Sequence, residues 1–168
     1  EPHETAIEAT TAKEAKAGQI VFARHGATAL DQAGANETVA GWTAEPLDDR
    51  GKAHAEKLAE DLKEHKPTVI VSSDLARAKE TADIVGKKLG IPVQTDERLR
   101  PQHVPETEGL KIDAAKKIWN EYEAAPDKVP QGGESWNAFR ARQDEALKEV
   151  DALVAKGERP LVMTHSRN

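Results

Sequence analysis

The sequence predicts an α/β fold: a three-layer sandwich whose mostly parallel sheet is flanked by helices on both faces. Three observations carry this expectation. Short apolar runs ("GQIVFA", "TVIVS", "IPVQT", "LVMT") are bounded by polar or turn residues, as buried strands are. Longer segments between them repeat apolar residues at helical spacing. Strand and helix alternate along the chain, the pattern that generates parallel sheets.

Residues 1–17, rich in Ala, Glu, Thr and Lys, show little apolar pattern and read as a polar tail or tether. The domain is expected to span 18–168. Its first strand, Gly18 to Ala23, runs into Arg24-His25-Gly26. A long loop follows, punctuated by Gly34, Gly41 and Pro46. Loops of that length in compact domains are usually functional or mobile. Ala55, Leu58, Ala59 and Leu62 mark a helix from Asp49 to about Glu64, and Thr68–Ser72 is the second strand. Ser73 or Asp74 is positioned to cap a helix striped by Leu75, Ala78, Ala82, Val85 and Leu89, which Gly90 ends. The third strand begins at Ile91, and Pro92 assigns it to a sheet edge. A polar, Pro-rich excursion over 98–133 carries a short helix near Asp113 to Ala124. A helix from about Glu134 to Ala155 then presents Trp136, Phe139, Gln143, Leu147, Val150 and Val154 on one side. Pro160 opens the last strand, which runs to His165.

Composition narrows the function. The chain has 24 Lys plus Arg against 30 Asp plus Glu, so any anion site must gather a few cations locally, and nucleic acid is not an expected partner. Cysteine is absent, which excludes disulfides and thiol nucleophiles. No apolar run approaches the roughly 20 residues of a membrane span, and no signal peptide is visible. A cytoplasmic location is the default expectation. The six histidines form no HExxH motif or close pair, so neither a metal site nor a cofactor is expected; His54 and His65 read as solvated.

Ligands of open α/β sheets bind beyond the carboxyl ends of the strands. Here those ends carry Arg24-His25-Gly26, Ser72-Ser73-Asp74 with Arg77 one turn on, and Thr164-His165-Ser166. Two imidazoles and two guanidiniums on one edge suit a phosphate dianion, which guanidinium matches as a planar fork. Gly26 would let the backbone approach the anion, and a helix N-terminus beside Arg77 would add donors.

The segments "ARHGATALD", "GWTAEPLDDRG", "VSSDLARAKETADIV", "GGESWNAFRAR" and "VMTHSRN", in this order, resemble the histidine phosphatase superfamily of phosphoglycerate-mutase-like fold, and its small phosphatases more than its mutases. The resemblance implies a phosphoric monoester hydrolase of histidine acid phosphatase type, acting on a small phosphorylated substrate. It makes His25 the nucleophile and places Arg24, Arg77 and His165 in the phosphate pocket. It gives Thr28 a phosphate contact and sets Gly41 and Trp42 in the adjoining loop.

Two residues depart from the family pattern. Asp31 stands where an Asn often donates to phosphate; it is expected to point away, Asn36 being an alternative donor. Pro101 stands where many members carry the acid that protonates the leaving group. Glu106 is the preferred substitute, ahead of His103, while Glu108 matches a structural Glu-Gly step. The chain also ends three residues after His165, where family members continue, so a domain truncated at its C-terminus is expected. A catalytically impaired phosphate-binding domain is the alternative reading, and a phosphoglycerate-mutase-type phosphotransferase a more distant one.

Overall fold

The computed structural model describes residues 20–26, 28, 30 and 37–165. The polar segment 1–17, Asp31, Asn36 and Ser166 lie outside the described residues. Four strands, β1 (Val21–Arg24), β2 (Val69–Ser72), β3 (Val93–Thr95) and β4 (Pro160–Thr164), form one parallel sheet in the order β1-β4-β2-β3. Four α-helices accompany them: α1 (Asp49–Leu62), α2 (Ala76–Leu89), α3 (Ile112–Ala124) and α4 (Trp136–Ala155).

Period-two alternation divides the sheet between two cores. Ala23, Ile70, Leu161 and Met163 face α1 and α2, meeting Leu58, Leu62, Ala78, Ala82 and Val85. Phe22, Val71 and Val162 face the other way, against Ala146 and Val150 of α4 and against Leu99. Both faces are thus covered, as the sandwich expectation requires. Burying each large apolar side chain contributes about 1.5–3 kcal/mol before entropy is counted. β3 lies at one edge of the sheet, in keeping with Pro92 immediately before it.

Side-chain chemistry sets the helix ends. Asp48 caps α1 by accepting from the Gly51 N–H at 2.8 Å, and Ser135 caps α4 by accepting from Ala138 at 3.1 Å. Gly90 closes α2 at φ 70°, a left-handed conformation that favours glycine. At the start of α2 the expectation of a Ser73 or Asp74 cap is overturned: the capping position is Leu75, with no side-chain cap. Asp74 instead makes a bidentate pair with Arg100 at 2.6 and 2.7 Å, and Ser73 turns toward His165. His65 is also corrected. It sits in the 3-10 turn after α1 and is only 8% exposed rather than solvated, whereas His54 is exposed.

Candidate active site

The sheet's hydrogen-bond ladder runs one residue past the strands, and that extension builds the site. Arg24 pairs with Thr164 across β1 and β4, and the His25 N–H then donates to the Thr164 carbonyl at 3.2 Å. On the other side of β4 the Ser73 N–H donates to the Met163 carbonyl at 2.9 Å. His25, Ser73 and His165, remote in sequence, are therefore set side by side. The two imidazole centroids lie 5.2 Å apart, tilted by 57°.

His25 holds its ring by a 2.6 Å hydrogen bond from Nδ1 to the Gly26 carbonyl. That assigns the proton to Nδ1 and makes Nε2 the lone-pair nitrogen. Arg77 Nε donates to this Nε2 at 3.3 Å, and its Nη2 donates to the Gly41 carbonyl at 2.7 Å. Arg77 is only 3% exposed, so the guanidinium is held rather than mobile. Thr81, fully buried, accepts from the Gly26 N–H at 2.9 Å and donates to the Arg77 carbonyl at 2.7 Å. One hydroxyl thus ties the His25 turn to the Arg77 helix.

His165 is 6% exposed, and its Nε2 lies 2.8 Å from Ser73 Oγ. Burial pushes its imidazole well below the ordinary histidine range, and the neighbouring His25, Arg77, Arg24 and Arg142 push the same way. The ring is neutral near pH 7.

Arg24, His25, Arg77 and His165 line one cavity of about 80 Å³. Val39, Val104, Ile112 and Trp119 supply apolar wall, and Pro101 and Gln102 line it as well. Among the described residues Glu37 is the carboxylate on this lining; its Oε2 is 3.9 Å from Arg24 Nη2. No group of three or more His, Cys, Asp or Glu among the described residues is arranged to hold a metal ion.

Gly41 also lines the cavity, whereas Gly26, Thr28, Trp42, His103 and Glu106 lie outside this lining. Gly26 is needed for packing: a Cβ there would meet the Gly51 carbonyl oxygen at 2.5 Å, and its N–H is already engaged by Thr81. Thr28 is fully buried, its Oγ1 accepting from the Leu30 N–H at 3.2 Å. Glu106 is exposed and accepts from the Tyr122 hydroxyl at 2.8 Å. His103 stacks on Trp42 at 3.9 Å between ring centroids. Trp42 acts through the wall, its Nε1 donating to the Pro101 carbonyl at 2.8 Å and its N–H to Glu108 Oε2 at 2.9 Å.

Sequence reasoning missed Glu37, which sits in a loop without periodicity, and Arg142. The Arg142 guanidinium donates to the carbonyls of Arg98, Arg100 and Pro101 at 2.7–2.8 Å and pairs with Glu134, pinning the turn that carries Pro101. An α4 position beside an apolar stripe gave no signal of that role.

Fold and site together define a parallel α/β protein with two histidines and two arginines lining one cavity at the carboxyl edge of its sheet. The chain belongs to the histidine phosphatase superfamily (branch 1), whose model matches residues 20–167. It is 38% identical over 155 residues to phosphoglycerate mutase-like protein 4 of Arabidopsis thaliana, an alignment covering 88% of this chain and 66% of that protein. It is 34% identical over 160 residues to a metal-independent phosphoserine phosphatase of Arabidopsis thaliana, covering 90% and 66%. The chain thus spans just under two thirds of the length of these relatives. A mycobacterial glucosyl-3-phosphoglycerate phosphatase, solved with inorganic phosphate, superposes with a TM-score of 0.64 at 30% identity, covering 86% of this chain and 70% of that one.

Proposed function

We propose that this chain is a phosphomonoesterase that hydrolyses a small phosphate ester through a phosphohistidine on His25. The observation that carries the reading is the convergence of His25, His165, Arg24 and Arg77 on one cavity. The His25 Nε2 lone pair attacks phosphorus, the P–O bond to the leaving group breaks, and water then cleaves the P–N bond to release inorganic phosphate. Splitting the displacement in two is the purpose of a side-chain nucleophile. The guanidiniums of Arg24 and Arg77 and the His165 imidazole contact the phosphoryl oxygens in this reading and supply the electrostatic stabilisation that dominates such reactions. In this structure Arg77 Nε rests on His25 Nε2, and a bound phosphoryl oxygen would take over that donor.

The leaving oxygen needs a proton. Pro101 lines the wall and cannot supply one, and Glu106 is engaged by Tyr122, so Glu37 is the carboxylate best placed among the described residues. The same shortage of acids favours a second reading, a domain that binds phosphate without turnover. Release of p-nitrophenol from p-nitrophenyl phosphate separates the two. Turnover that disappears in His25→Ala is the expected result; turnover that survives removes His25 as nucleophile, and no turnover in the unaltered chain favours the binding domain.

A further inference from the structure

The two imidazoles of the site are held by different atoms, and the difference fixes their protons. His25 is anchored through Nδ1 and accepts from Arg77 at Nε2; His165 is anchored through Nε2 and leaves Nδ1 buried without a hydrogen-bond partner among the described residues. Ser73 Oγ accepts from the Leu75 N–H at 3.3 Å. If its own proton points at His165 Nε2, the hydroxyl has both a donor and an acceptor role filled, as a fully buried hydroxyl requires. The opposite arrangement, Nε2–H donating to Ser73, leaves the serine proton without an acceptor among the described residues and a bare lone pair on the buried Nδ1 of a ring that lines the cavity.

We propose that Ser73 is a positioning residue that locks His165 in the neutral Nδ1–H tautomer, making His165 a hydrogen-bond donor to a phosphoryl oxygen. The proposal rests on the phosphate-ester reading of the cavity but concerns a different atom from the nucleophile. An unsatisfied buried N–H is costly, so a phosphoryl oxygen that accepts from it is bound the more tightly. An Nδ1 lone pair in the same place would repel it. The two histidines thereby divide the labour: equal side chains become a lone-pair donor and a proton donor because one faces a backbone carbonyl and the other a serine hydroxyl.

The test is long-range ¹H–¹⁵N NMR of the imidazole rings in the unaltered chain near neutral pH, with and without inorganic phosphate. His165 is expected to show a protonated Nδ1 and an unprotonated Nε2, with the Nδ1–H resonance shifting on phosphate addition. A protonated Nε2 in the free chain overturns the proposal, as does an Nδ1–H indifferent to bound phosphate. In Ser73→Ala the His165 tautomers should mix while His25 keeps its Nδ1 proton, and kcat/KM should fall about 10- to 100-fold. Ser73→Thr, which keeps the hydroxyl, should recover the tautomer and most of the rate. Equal loss in both variants with an unchanged His165 spectrum would reduce Ser73 to packing. Because the tautomer is read without turnover, failure of the phosphatase reading leaves this result separately visible.

Discussion

Thr81→Val is the most informative change outside the pocket, because it removes a hydroxyl and keeps the shape. Thr81 is fully buried and bridges the Gly26 N–H and the Arg77 carbonyl, at 2.9 and 2.7 Å. Valine has the same volume and much the same helix propensity, so the perturbation is the loss of two hydrogen bonds. The Arg77 carbonyl keeps its helical partners. The Gly26 N–H, enclosed against the Gly51 backbone, is left orphaned. An unsatisfied buried donor costs about 1–3 kcal/mol. With a urea m-value of about 2 kcal/mol/M the midpoint should fall by about 1 M at unchanged slope. Thr81→Ser keeps the hydroxyl, loses a methyl, and should cost about 1 kcal/mol or less. Because the lost bridge joins the His25 turn to the Arg77 helix, kcat/KM should also drop about tenfold through misplacement of the nucleophile. A valine variant with an unshifted midpoint, or a serine variant as destabilised as valine, would refute the argument that this hydroxyl satisfies Gly26.

Three further outcomes are expected. Glu37→Gln should slow hydrolysis of an alkyl phosphate about 100-fold while leaving p-nitrophenyl phosphate nearly unaffected, since an aryl oxide leaves without a proton, and Glu106→Gln should change neither rate; the ratio of the two kcat/KM values is the measurement. Arg142→Met should destabilise the chain by about 1.5–3 kcal/mol in urea titrations, because Glu134 loses its charged partner while keeping the His103 N–H, and the turn at Pro101 loses its donor. The folded pKa of His165 lies below its unfolded value, so the unfolded chain takes up a proton that the folded chain refuses. Stability should therefore decline as pH falls below about 6.5, by up to about 1.4 kcal/mol per pH unit, and His165→Asn should flatten that slope in pH-dependent urea titrations.

The sheet was legible because buried strands announce themselves: "VIVS" and "LVMT" are continuous apolar runs between polar punctuation, and the stripes of α1, α2 and α4 return each chain crossing to one face. His25 and His165 were legible because each follows such a run, so topology alone sends both to one edge. Hydrogen bonds between distant segments were not. Ser73 looks like a helix cap from its neighbours, yet its hydroxyl faces a residue 92 positions away. Gly26 looks like an anion cradle, yet its missing side chain makes room for the first turn of α1. Glu106 and Glu37 illustrate the same limit. Both lie in aperiodic segments, where only the folded chain decides which carboxylate meets the cavity and which meets Tyr122.

The most direct test is to mix the chain with ³²P-labelled phosphate ester, quench within the first turnover, and locate the label by peptide mapping. The account predicts a phosphoryl group on the peptide containing His25, labile in acid and stable in base, absent from His25→Ala and chased by water. Turnover with no such label, or with the label on any other residue, would contradict it.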